Sequence, residues 1–149
     1  MSITIQPVAG ELRQPAVELL ARFFREEGFA TPRQRIAENL DRMVADPFRW
    51  CALALADGEA QAVITVTTML YVEWGRLGEI GDLYIVPEHR GRGLARLLVE
   101  RAKDWCRTQG CSAVSVTITP AGEARHRLSE FYARLGFELT GRVSASAML

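Results

Sequence analysis

Residues 87 to 98, PEHRGRGLARLL, gather Gly91, Gly93 and the arginines Arg90, Arg92 and Arg96 between a hydrophobic run and a leucine-rich helical pattern. A helix starting there leaves its first-turn N–H groups without acceptors, at the positive end of its dipole. Glycines at that corner let a ligand approach the main chain and let the turn take positive φ. Arginine adds charge. The sum is a cradle for an anion of about diphosphate size. Two glycines and some arginines also suit an ordinary solvated turn; the whole series of strand, proline, arginine, paired glycines and amphipathic helix favours the cradle. Other phosphate motifs fit poorly. A dinucleotide fingerprint needs a small residue where Arg96 stands, and no Gly-Lys-Ser/Thr occurs, Lys103 lying deep in the helix. Further candidates for chemistry are the carboxylates Glu73, Glu79 and Asp82 and the phenol Tyr132. Either of Glu79 and Asp82 could equally be a solvated strand-end charge, and Tyr132 a core tyrosine beside Phe131.

The periodicity supplies elements to position these groups. SITIQPV (2–8) alternates as a strand, and a helix with Leu12, Ala16, Leu19, Leu20, Phe23 and Phe24 inward runs from Gly10 to Gly28. Thr31-Pro32 reads as an N-cap and first helical position, opening a second helix that stops before Pro47. FRWCALALA (48–56), DGE (57–59) and AQAVITVTTMLYV (60–72) read as an antiparallel hairpin. EWGRLG (73–78) breaks the pattern before the strand EIGDLYIV (79–86). In a regular strand Asp82 points to the face opposite Glu79, unless a bulge intervenes. A helix spans Gly93 to Thr108, a strand 112–119, and PAGEARH (120–126) is a loop entering a helix with Leu128, Phe131, Tyr132 and Leu135 inward. FELTG and RVSASAML supply one or two last strands. The result is a single α/β (α+β) domain, 1–149, with a mixed, largely antiparallel sheet of six to seven strands and about four helices.

Bulk properties limit the function. The 149 residues can bury roughly two thirds of their unfolded surface. Lys+Arg and Asp+Glu both total 18, so there is no basic excess to suit nucleic acid or a membrane surface. Cys51, Cys106 and Cys111 lack C-x-x-C spacing and read as reduced thiols, and His89 and His126 lack metal-ligand spacing and read as surface residues. No secretion signal or membrane-length apolar run is present, so the expected location is cytoplasmic.

RGRGLA (90–95) resembles the acyl-CoA signature Q/R-x-x-G-x-G/A of the GNAT superfamily of N-acyltransferases, through Arg90, Gly93 and Ala95. DLYIVPEHR (82–90) is similar to that family's preceding strand, and SEFYARLGFE (129–138) to its second signature. The resemblance spans nearly the whole chain. It implies a V-shaped cleft where the strand ending at Ile85 splays from the strand at 112–119, with acetyl-CoA as donor cosubstrate. Pantetheine would pair with the main chain at Leu83, Tyr84 and Ile85. The pyrophosphate would meet the N–H groups of Gly91, Arg92, Gly93, Leu94, Ala95 and Arg96.

The same resemblance implies roles in the chemistry. Acyl transfer to an amine needs a neutral amine, a stabilised oxyanion and a protonated leaving thiolate. Tyr132 stands where the family carries its acid. Glu79, eleven residues before Arg90, stands where some members carry a base; Asp82 is the alternative, and either could instead attract the ammonium. Glu73 is a further substrate contact. Ser129 could hydrogen-bond pantetheine or merely its own helix backbone. Arg125 replaces the asparagine often found seven residues before the tyrosine. The three carboxylates favour a small cationic amine, polyamine or aminoglycoside-like, over protein lysines or N-termini. A domain that binds acyl-CoA without turnover is the rival of another class. A terminal edge strand offers a homodimer contact.

Overall fold

The alternating N-terminal run becomes β1 (Ile3–Pro7), antiparallel to β2 (Arg49–Ala56), which pairs with β3 (Glu59–Tyr71), which pairs with β4 (Gly75–Ile85). The fifth strand, β5 (Ala113–Val116), is parallel to β4, so the sheet is mixed and its order is β1-β2-β3-β4-β5. The helices are α1 (Arg13–Glu26), α2 (Arg33–Val44), α3 (Leu94–Thr108), α4 (Pro120–His126) and α5 (Leu128–Arg134). This computed structural model describes residues 1–149 and divides into two compact units, Met1–Val116 and Thr117–Leu149. No helix is long and apolar enough to cross a membrane.

Strand alternation sorts the first unit's core into two layers. Cys51, Leu53, Val63 and Tyr84 pack with Val17, Leu20, Ile36 and Leu40 of α1 and α2. The alternate residues serve α3: Trp50 stacks on Trp105 with ring centroids 5.9 Å apart, and Leu98, Val99, Ala102 and Cys106 are buried. Full burial of a side chain such as Leu53 or Leu98 contributes about 1.5–3 kcal/mol. Two exposed ion pairs, Arg13–Asp41 and Arg33–Glu18, tie α1 to α2.

Several expected boundaries move. β4 begins at Gly75, not at Glu79. Gly75 takes the positive φ of the turn, and Arg76, Leu77 and Gly78 already pair with Leu70, Met69 and Thr68. The second helix is capped by Pro32 in an extended conformation, with no side-chain cap from Thr31. The strand expected at 112–119 is regular only through Val116.

In the second unit, 120–126 is a helix and not a loop. Pro120 occupies its first turn, and the Thr119 hydroxyl accepts the Gly122 N–H at 3.0 Å. Arg127, at φ 51°, separates α4 from α5, so there are five α-helices where about four were expected. The last one or two strands do not form, and the sheet has five strands, not six or seven. RVSASAML alternates in small residues and offers no apolar face to bury: Val143 and Met148 are 94% and 98% exposed. The terminal edge strand that would offer a homodimer contact is therefore absent.

Gly78 shows how tightly β4 lies on α3. A Cβ there would collide with the Cys106 Sγ. Gly78→Ala should cost about 1–3 kcal/mol in urea unfolding, and adding Cys106→Ala should recover most of it. Losses that simply add would refute this packing account.

Candidate active site

One extra residue on β4 sets the geometry. Asp82 pairs with Thr65 but Ile80 pairs with Val66, so Gly81 is a bulge. The shift moves Asp82 to the face Glu79 already shares with Thr67 and Thr65, correcting the opposite-face arrangement of a regular strand. Both carboxylates thus look toward the α1/α2 side. A Cβ on Gly81 would meet the Thr65 Oγ1 at 3.1 Å, so a larger residue at the bulge would have to displace the hydroxyl that holds Asp82.

The two carboxylates have different surroundings. Asp82 is half-buried, lines a cavity of about 180 Å³, and its Oδ2 accepts the Thr65 hydroxyl at 2.6 Å. Burial pushes the Asp82 carboxyl above its ordinary value, and the Thr65 hydrogen bond pulls it partly back. Burial, reinforced by Asp82, pushes the neighbouring Cys51 thiol up to about 12, so Cys51 stays protonated and is no nucleophile. Glu79 is half-buried with no hydrogen bond or ion pair inside the protein. Glu73 is exposed in the turn ahead of Gly75, roughly 23 Å of strand before Asp82, and is not brought together with it.

The same bulge marks where β4 loses its neighbour. Pairing with β5 ends at Ile80–Val116, while β4 runs on to Ile85. The Val86 N–H donates to the Gln61 carbonyl, toward β3. By alternation the main-chain groups of Leu83 and Ile85 face the other, unpaired edge, whereas those of Tyr84 point inward to β3. The Tyr84 side chain, stacked on Phe23, donates its hydroxyl to the Glu26 Oε1 at 2.7 Å; burial and that bond push it up to about 12.

The glycine corner follows. Gly91 and Gly93 have φ of 78° and 83°, and Gly93 caps α3. Within α3 the Leu97 N–H is bonded to the Gly93 carbonyl, which leaves the amides of Leu94, Ala95 and Arg96 without helix acceptors. Those of Gly91, Arg92 and Gly93 have no main-chain partner either. Arg92 and Arg96 are exposed and make no ion pair. Arg90 differs: its amide donates to Pro87, its Nε to the Ile85 carbonyl at 3.0 Å, and its Nη2 lies 3.5 Å from Glu26. The sequence motif groups Arg90 with the cradle, but the fold ties it to α1 and to the end of β4. His89, expected at the surface, is half-buried with an unpartnered Nδ1.

In the second unit Tyr132 sits edge-on between Phe131 and Phe137, with centroids 4.9 and 5.2 Å away. Its ring is buried, its hydroxyl has no hydrogen-bond partner, and burial pushes it up to about 12. The Ser129 hydroxyl is committed to the Glu123 Oε2 at 2.6 Å, and the Ser129 N–H joins it at 2.9 Å.

Residues 14–137 match the model of the acetyltransferase (GNAT) family. The chain belongs to that family. It is 30% identical over 132 residues to streptothricin acetyltransferase of Streptomyces lavendulae, covering 88% of this chain and 64% of that one. It is 31% identical over 102 residues to glucosamine 6-phosphate N-acetyltransferase 1 of rice, Oryza sativa subsp. japonica, covering 67% and 58%. The chain thus spans under two thirds of the length of these curated relatives. Its fold matches AAC(6')-Iy in complex with the bisubstrate analogue CoA-S-monomethyl-acetylneamine, with TM-score 0.86, 18% identity, and 100% and 99% of the two chains covered.

Thr65 was not singled out in the sequence, though its placement opposite the bulge makes it the partner of Asp82. No sequence signal marked it, because the register that joins them depends on the extra residue at Gly81.

The raised Asp82 carboxyl gives a stability test with a definite sign. The folded state binds this proton more tightly than the unfolded chain, so the group's contribution is present below the unfolded value and lost as pH rises through the folded one. Asp82→Asn should therefore raise the thermal midpoint at pH 7, and the gain should vanish near pH 3. A midpoint gain independent of pH would contradict the burial account.

Proposed function

We propose that this chain is an acetyl-CoA-dependent N-acetyltransferase that moves an acetyl group to the primary amine of a small cationic molecule by direct attack in a ternary complex. The observation that carries this reading is the continuity of one strand: β4 bears two carboxylates on one face, exposes an unpaired edge, and leads into six uncommitted amides. Family membership and relatives named for streptothricin and for glucosamine 6-phosphate support a small-molecule acceptor.

Acetyl-CoA supplies an acetyl group already activated as a thioester. The amides from Gly91 to Arg96, with Arg92 and Arg96, hold the pyrophosphate as fixed dipoles that need no reorganisation. Leu83 and the Ile85 N–H hold the pantetheine amides through the main chain, as a strand added to an edge, the Ile85 carbonyl being taken by Arg90.

Asp82 receives the proton of the acceptor ammonium. Its carboxyl is the one whose affinity for a proton is raised, and in dry surroundings a neutral amine with a carboxylic acid gains ground on the ion pair. Glu79, uncommitted on the same face, draws the cation in and serves as the alternative base, directly or through water. Tyr132 protonates the departing thiolate. A phenol pushed up to about 12 stays protonated throughout the working range, and its hydroxyl has no competing partner in the protein.

Free-thiol release from acetyl-CoA with a panel of small amines tests the activity, and tight CoA binding with no turnover of any amine would overturn it. Tyr132→Phe should lower kcat by about 100-fold or more while CoA affinity stays within about twofold. Gly93→Asp should abolish CoA binding through bulk and like charge. An unchanged kcat in the first, or normal affinity in the second, would remove the assigned role.

A further inference from the structure

The cavity that contains Asp82 has a more restrictive chemistry than a general cation site. Its helix walls are apolar: Leu20 and Phe24 from α1, and Ile36, Leu40 and Met43 from α2. Thr65 and Asp82 form its sheet side, and the exposed Thr31 and Asn39 stand at the solvent end. Asp82 commits Oδ2 to Thr65 and keeps its other oxygen free. An ammonium is the natural complement of that one free, partly desolvated carboxylate oxygen.

From this geometry we infer that the acceptor is a primary monoamine bearing one apolar group of about ring size, its nitrogen docked on Asp82 and its apolar body against α1 and α2. The inference rests on the acyl-transfer reading and narrows its substrate class. Size supports it, since a dry cavity of about 150 Å³ holds benzene and this one measures about 180 Å³.

Charge supports it more strongly. A polyamine or aminoglycoside brings several ammonium groups, each needing its own acceptor once desolvated. The acidic residues of α1 and α2 are mostly paired with arginines, and none of them lines the cavity. Glu18 is paired with Arg33 and Asp41 with Arg13, while Glu26 takes the Tyr84 hydroxyl and lies beside Arg22 and Arg90. Glu38 accepts from Gln34. Glu79, the other uncommitted carboxylate of this sheet face, is not among the residues lining the cavity. One charge is therefore matched, and the remaining lining calls for hydrocarbon.

Calorimetric titration of the intact protein, without acetyl-CoA, tests this apart from catalysis. The probes are 2-phenylethylamine, ethylamine, spermidine and kanamycin. 2-Phenylethylamine should bind at least about tenfold more tightly than ethylamine, which lacks the apolar body, and more tightly than either polycation. Asp82→Asn should weaken it by about tenfold or more, and so should Met43→Trp, which fills the cavity from its edge; thermal unfolding shows whether each variant is folded. Spermidine or kanamycin binding as tightly as 2-phenylethylamine, ethylamine matching it, or no amine binding at all would overturn the inference. Tight 2-phenylethylamine binding with no thiol released from acetyl-CoA would leave the ligand class standing and remove the transferase reading. Thiol release with kanamycin alone would do the reverse.

Discussion

β4 loses its neighbour at the same point where it gains a residue. β5 follows it only to Ile80, and Gly81 is the bulge. Bulges bend a strand and increase its twist, so the coincidence gives an edge that a parallel neighbour cannot follow. An open edge in the middle of a sheet carries a cost, because main-chain donors and acceptors there need partners. The glycine corner adds six more unsatisfied amides a few residues on. Concentrating so many unmet hydrogen-bonding groups along one strand and its exit makes physical sense where a ligand supplies the missing partners.

The bulge also fixes the acid–base character of the site. By turning Asp82 to the face of Glu79, it puts one carboxylate against the α1/α2 layer and leaves the other without partners. Thr65, opposite, gives Asp82 a single hydrogen bond, enough to orient the carboxylate but not to cancel its desolvation. The arrangement weakens the fold at neutral pH, a compromise expected where stability and activity compete, and it suits the proton acceptor proposed for Asp82. The arginines of the two helices engage most of the other acids nearby, which isolates the one carboxylate that lines the cavity.

Much of this was legible because it is local. The two glycines and the leucine stripe after them announce a strand-to-helix corner, and that corner appears with both glycines at positive φ. The hairpin from 49 to 71 follows from alternation and the Asp57-Gly58 turn. What eluded the sequence depends on pairing. The bulge at Gly81 exists only in relation to β3, so the common face of Glu79 and Asp82 could be allowed for but not assigned. Arg90 looks like a cradle residue by position, yet Glu26, 64 residues away, claims it. Thr119-Pro120 carried a helix-start signal like that at Thr31-Pro32, and only the later pair has a threonine cap. The C-terminal alternation looked like strand, but its small, exposed residues bury no apolar face and no strand forms there.

Hydrogen exchange at the main chain of β4 tests the central claim most directly. In the free protein the amides of Leu83 and Ile85 should exchange far faster than that of Tyr84, which faces β3. Added CoA should slow exchange at Leu83, Ile85 and the Gly91–Arg96 segment together while leaving Tyr84 unchanged. Leu83 and Ile85 already protected without ligand, or indifferent to CoA while it binds elsewhere, would contradict an open edge that carries the cofactor.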